Sequence, residues 1–408
     1  MIAKAKLFLL LGFIGLLAQC ASIWQNANFS KAPRHLMSLS VGPLGHPTQS
    51  TNPTLVFTEG PYNGSNTLGI ASYDGETFDE YLFILNATTL SPQFVFTKLD
   101  KPFSTYSGKF ATSHEGYIAS AVVFHDEKGI PQIKVLVQDV NTNTLTAHVI
   151  TDNKEQDTRY EIHEVFTNEL SGIVAYSEAR YKERVATSGG LFLGAIEFAN
   201  MSISTHPFEV VGETATNVIC TCKPYSLNAL CAWKTKGIVS SSVISLSSKT
   251  AQHPMPLFTD NSDRDMNYQL VEIIAAKGFY VILSLRNEGT NTSLVANIPS
   301  ASHGPTVLRS WSNAAKPVIE GALSYGDLFA VFYNVKDLES QGQNWSYEFY
   351  NFDLTPNQTE TRFTSLKSEN SNSTYSVARS YLDKEINFVA IIYTNSSLGS
   401  LWYGELLH

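Results

Sequence analysis

Two stretches of the chain set carboxylates beside basic side chains in the same order. Thr151-Asp152-Asn153-Lys154-Glu155-Gln156-Asp157-Thr158-Arg159-Tyr160 returns as Thr259-Asp260-Asn261-Ser262-Asp263-Arg264-Asp265-Met266-Asn267-Tyr268, with Thr, Asp, Asn, Asp and Tyr in register. Loops drift faster than cores, so identity in a polar stretch needs a physical reason. One reason is turn chemistry: Asp152 and Asp260 can each accept backbone amides in an Asx-turn. The other is a polar ligand held by Asp157, Arg159, Asp263, Arg264 and Asp265, with Arg180 and Arg184 supplied by the charged run at 177–184. Asp157, Asp263 and Asp265 are also candidates for the paired carboxylates of glycoside cleavage. Asp263-x-Asp265-x-Asn267 begins like a calcium loop but lacks the turn glycine and the distal bidentate glutamate. The ten histidines show no i, i+2 or i, i+4 pairing, so neither a metal nor another cofactor is expected. The phosphate-loop, nucleophile-elbow and H-E-x-x-H patterns are absent.

Composition narrows the function classes. The 408 residues are 43% hydrophobic, 12% aromatic and 16% charged, which describes a folded chain with ample core material. A net charge of −9 offers no basic field for phosphates, so nucleic acid is not an expected partner. Lys4 and Lys6 precede an apolar run from Leu7 to Leu17, followed by Ala18, Cys20 and Ala21. That is the layout of a secretory signal peptide over residues 1–20, and the run is too short for a transmembrane segment. Nine N-x-[ST] sequons follow, at Asn28, Asn63, Asn86, Asn200, Asn291, Asn344, Asn357, Asn372 and Asn395, which fits a secreted glycoprotein.

Cys220, Cys222 and Cys231 remain after signal removal. A hairpin centred between Ser226 and Leu227 sets Cys222 opposite Cys231, so a Cys222–Cys231 disulfide is expected. Cys220 is then left without a partner in the chain, as a buried thiol or an interchain link.

The elements that position these groups are strands throughout. Apolar residues alternate with period two, as in Tyr117-Ile118-Ala119-Ser120-Ala121-Val122-Val123-Phe124, and helical stripes are missing. First strands are expected near Thr54, Ser107, Tyr160, Thr216, Tyr268, Val318 and Tyr375, roughly fifty residues apart. Four strands per unit of that length reads as an all-β, seven-bladed β-propeller of four-stranded antiparallel blades. The last unit holds three strands, and a spare strand lies at 34–41. The ring is therefore expected to close through an N-terminal strand, which leaves no unpaired edge. The domains are a signal peptide at 1–20, an N-terminal tail at 21–33 and one propeller at 34–408.

In this register, loops joining fourth to first strands share a face with loops joining second to third strands. On that face the first four blades carry no sequon. The expected function is extracellular binding of a protein or glycan without catalysis. A propeller glycosidase or lyase with carboxylates at the channel mouth is the alternative, and a structural coat or matrix glycoprotein is a third.

Overall fold

The computed structural model describes strands at 34–40, 54–56, 61–62, 65–73, 80–86, 92–93 and 109–112, and strands at 374–380, 387–393 and 398–405. Between them it describes residues 117–362 apart from 140–141, 143, 183–184, 224, 263–264, 276–278, 300–303, 313–314, 326–327, 338–342 and 358–360. The expected signal peptide and tail lie outside the described residues, as do Asn28, Asn63, Asn372, Asn395, Arg184, Asp263 and Arg264.

Every described element is a strand or a turn, apart from a short 3-10 bend, and the sheets are antiparallel meanders. The second sheet runs Lys109–Thr112, Tyr117–His125, Pro131–Asp139, Thr144–Val149 in spatial order. The third runs Thr158–Thr167, Ser171–Lys182, Val185–Glu197, Ser202–Val211, and the fifth runs Met266–Ala275, Tyr280–Glu288, Asn291–Asn297, Thr306–Trp311. Thr54–Val56, Thr216–Cys222, Ala315–Tyr325 and Thr374–Ser380 open the first, fourth, sixth and last sheets. The first and fourth sheets each carry one additional short strand. Arg34–Ser40 pairs antiparallel with Leu398–Glu405, beyond the third strand of the last sheet.

First strands touch first strands. Lys109–Thr112 lies against Thr158–Thr167, which meets Thr216–Cys222, then Met266–Ala275, Ala315–Tyr325 and Thr374–Ser380 in succession. Thr54–Val56 contacts both Thr374–Ser380 and Lys109–Thr112. Sheets arrayed by their first strands around one axis are the architecture of a β-propeller.

The period-two pattern explains how consecutive sheets stick. In Ser171–Lys182, Ile173 and Ala175 enter a core shared with Cys220, Ala229, Trp233 and Ile244 of the fourth sheet. Val174 and Tyr176, on the opposite side of the same strand, enter a core with Ala119, Ile133 and Val135 of the second. Each buried branched aliphatic contributes roughly 1.5–3 kcal/mol, and one strand feeds two such layers. Contact is close at Gly172, where an added Cβ would sit 2.4 Å from the Ala119 Cβ. Polar links supplement the cores: Asn217 bonds both the amide and the carbonyl of Leu270 in the fifth sheet, and Arg309 of the fifth pairs with the buried Glu348 of the sixth.

The cysteine expectation is corrected. The disulfide joins Cys220 to Cys231, with Cα atoms 4.1 Å apart, and Cys222 is a buried free thiol. Strand pairing explains it: Cys220 stands opposite Cys231 and Cys222 opposite Ala229. The turn is centred near Tyr225 and Ser226, and a bulge between Thr216 and Ile219 absorbs the difference in strand length. Tyr225 takes a left-handed φ of 59° and donates its amide to Asn168 O at 2.7 Å, fixing that shorter turn. The Cys222 thiol donates to Thr167 O at 3.0 Å, and burial pushes its pKa up.

Candidate functional site

A cavity of about 420 Å³ opens between the second and third sheets. It is large enough for a small ligand. All four strands of the third sheet supply its floor, from Tyr160 on the innermost, through Tyr176, Glu178 and Arg180 on the second and Phe192 on the third, to His206 and Pro207 on the outermost. Tyr176, Glu178 and Arg180 are two residues apart, so strand alternation turns all three to one side. Residues 150–155, which connect the second sheet to the third, form the roof.

Side chains hold that roof in place. Gln132, buried in the second sheet, accepts from the Thr151 hydroxyl at 2.8 Å and from the Asn153 amide, and donates to Asn153 O at 2.8 Å. Asn153 makes the turn: its Oδ1 accepts the Glu155 amide at 3.0 Å and the Thr158 hydroxyl at 3.1 Å. Its Nδ2 donates to the carbonyls of Pro131 and Glu155. Asp152, in contrast, is exposed and pairs with Lys154.

Three aromatic rings line the floor. Tyr160 meets Tyr176 edge-on, with centroids 5.7 Å apart, and Tyr176 stacks on Phe192 at 5.6 Å. The Tyr160 hydroxyl hydrogen-bonds the side chains of Thr151 and Glu178. Burial, reinforced by the neighbouring Glu178 carboxylate, drives its pKa well above the ordinary tyrosine value. Tyr176 is raised for the same first reason. Arg180 Nε donates to Glu178 Oε1 at 2.8 Å, and that bond raises the guanidinium pKa further. The arrangement presents ring faces, a carboxylate–guanidinium pair and a bonded phenol to whatever enters.

Of the site residues named from sequence, Arg180 lines the cavity, whereas Asp157, Arg159 and Asp265 do not. Asp157 is exposed and its carbonyl accepts the Tyr181 amide at 2.9 Å. Asp265, also exposed, accepts the Gly289 amide in the same way at 3.1 Å. Both carbonyls tie a blade's entry to the end of its second strand or the turn that follows, a backbone link common to the two loops. Arg159 lays its guanidinium over the Tyr181 ring, 4.6 Å from the centroid. The aspartates at the head of the two loops differ. Asp260 accepts the Tyr268 amide at 2.9 Å and pairs with Lys234, while Asp152 makes no comparable backbone bond.

Sequence reasoning missed Tyr160, Tyr176, Phe192, Lys154, Glu155, Glu178 and His206 as cavity residues. The one legible signal was Tyr176-x-Glu178-x-Arg180, an aromatic and two opposite charges on one strand face. Among the described residues, no His/Cys/Asp/Glu group is placed to hold a metal, and no helix is long and apolar enough to cross a membrane. Three sequon asparagines, Asn200, Asn291 and Asn357, are exposed.

No family model matches the chain, and no curated protein matches its sequence. Solved structures match in shape. An ulvan lyase of polysaccharide lyase family PL25, bound to -[GlcA(1-4)Rha3S]-, gives a TM-score of 0.53 at 8% identity, covering 88% of this chain and 94% of that one. The β-propeller domain of the Trilobed protease from Pyrococcus furiosus gives 0.49 at 8% identity, covering 88% and 97%. The Dos1 propeller gives 0.45 at 14% identity, covering 92% and 81%. Identities this low speak to fold alone, and the chain's own sheet order carries the propeller assignment.

Proposed function

We propose that this chain is a secreted, N-glycosylated propeller of seven blades, closed by its N-terminal strand, that binds an extracellular carbohydrate between its second and third blades. The succession of first-strand contacts and the pairing of Arg34–Ser40 with Leu398–Glu405 support the ring. The signal-like N-terminus, the nine sequons and an intrachain disulfide support an oxidising, exported setting. The observation that carries the binding role is the cavity, where the half-buried Tyr160 and Phe192 offer aromatic surface beside Glu178 and Arg180, backed by the buried Tyr176 ring. Flat aromatic surface with a few fixed polar groups suits a pyranose ring, whose C–H faces pack on aromatics while its hydroxyls seek hydrogen bonds. The roof belongs to the loop-rich face, in the sector without sequons, so attached glycans would leave the entrance clear.

Binding is the preferred reading because the lining offers aromatic surface beside a carboxylate and a guanidinium, Glu178 and Arg180, that are already bonded to each other. The enzymatic reading draws on Glu155 and Glu178 in the lining and on the lyase-like fold. A matrix role through a Cys220 interchain link loses its support, since Cys220 is bonded within the chain.

The test is an oligosaccharide array probed with the secreted wild type, Tyr160→Phe and Arg180→Ala. Retention of defined glycans by wild type, weakened in both variants at unchanged melting temperature, is the expected result. No glycan retained, or variants that bind like wild type, overturns the reading. Release of cleaved or unsaturated products by wild type selects the enzymatic one.

A further inference from the structure

The charges around the cavity are unevenly matched. Asp152, Glu155 and Glu178 contribute three carboxylates, and Lys154 and Arg180 two cations. Each cation already has an internal partner: Lys154 pairs with Asp152, and Arg180 with Glu178 at 2.8 Å. An acidic sugar would meet cations whose charge is already offset by a neighbouring carboxylate. Glu155, whose field also reaches Arg180, adds negative charge at the roof. The Glu155 backbone is used in the loop, but none of the hydrogen bonds that pin the roof involves its side chain. The aromatic walls act in the same sense. Ring faces carry the negative end of the aromatic quadrupole, and the half-buried Tyr160 ring lines the cavity beside the Glu178 carboxylate. The surrounding protein is acidic overall, which repels anionic polymers before they arrive.

We infer that the cavity selects an amine-bearing sugar over an acidic one, an inference that rests on the carbohydrate reading above. The ammonium sits against the Tyr160 ring and Glu155, while the sugar ring packs along Phe192.

Titration calorimetry on the full secreted protein, at low salt and mildly acidic pH, distinguishes three probes of equal length: trimers of glucosamine, N-acetylglucosamine and galacturonic acid. The glucosamine trimer should bind about tenfold more tightly than its neutral N-acetyl counterpart, and the galacturonate trimer most weakly. Glu155→Gln should shrink the amine preference, read as the ratio of the two dissociation constants, about threefold, and added salt should compress the whole spread. Equal binding of the amine and neutral trimers, tighter binding of galacturonate, or an amine preference indifferent to Glu155→Gln overturns the inference while the carbohydrate reading stands. If none of the three binds and the array is also blank, the carbohydrate reading falls and takes the inference with it.

Discussion

Asn153→Ala should destabilise the protein by about 2 kcal/mol, although the residue sits in a surface loop. The side chain makes four hydrogen bonds, and they are unequal. Those to the Glu155 amide and carbonyl lie in the exposed part of the loop, where water substitutes at little cost. The bond from the Thr158 hydroxyl differs, because Thr158 is 2% exposed and the hydroxyl would be left without that acceptor. Stranding a buried polar group costs about 1–2 kcal/mol, and losing the link to Pro131 O adds about 0.5 kcal/mol. Asp152→Ala provides the contrast. Its carboxylate and the Lys154 ammonium are 85% and 76% exposed, so the loss should stay below about 0.5 kcal/mol. Asp260→Ala, at the matching position of the other loop, removes the acceptor for the Tyr268 amide and a partly buried partner of Lys234, costing about 1–2 kcal/mol. Urea unfolding of the three variants, with slopes unchanged from wild type, reads these values directly. Asp152→Ala costing as much as Asn153→Ala would refute the reasoning, because the turn would then depend on the aspartate.

Non-reducing peptide mapping should recover Cys220 linked to Cys231, with Cys222 resisting alkylation until the protein unfolds; a Cys222–Cys231 peptide would contradict the strand register. Cys220→Ser should lower stability by about 2–3 kcal/mol, as expected for opening a short loop. Gly172→Ala forces a methyl to within 2.4 Å of Ala119 Cβ and should cost about 1–3 kcal/mol, partly recovered in the Gly172→Ala/Ala119→Gly double variant. Burial raises the pKa of Tyr160, Tyr176, Tyr280 and Cys222, with Tyr280 pushed to about 12 from an ordinary 10. Groups whose folded-state pKa is raised favour the native state below their unfolded value, so stability should be intact below about pH 9 and fall as pH rises through 10. Absorbance titration should show buried phenols ionising only as the protein unfolds, and early phenolate formation in the native protein would contradict their burial.

The sheets were legible because blade strands carry a strong local signal. Apolar residues alternate on both faces of each second strand, and the expected starts at Tyr160, Tyr268, Val318 and Tyr375 fall within a few residues of the strands that open at Thr158, Met266, Ala315 and Thr374. The cysteine pairing was not legible, since it depends on turn length and on a bulge at 216–219 that composition does not announce. The cavity was harder still. Tyr176 and Phe192 read as ordinary core residues, as the buried Tyr176 is, and a void is left beside them because residues 150–155 fold back onto Gln132 rather than packing down on the third sheet. The repeated Thr-Asp-Asn loops share a backbone tie at Asp157 and Asp265 that any residue could make, so the tie does not account for the aspartates, and neither carboxylate lines the cavity beside the first loop. Asp152 was favoured over Asn153 as turn-maker because the two are adjacent and chemically similar, and only the positions of Thr158 and Pro131 separate their roles.

The most direct test is a crystal structure of the secreted protein soaked with the tightest-binding glycan from the array. The account predicts sugar density between residues 150–155 and the Tyr160, Tyr176 and Phe192 rings, with Glu178 and Arg180 within hydrogen-bonding distance. Density instead beside the exposed Asp157 or Asp265, with the cavity holding only water, would contradict it.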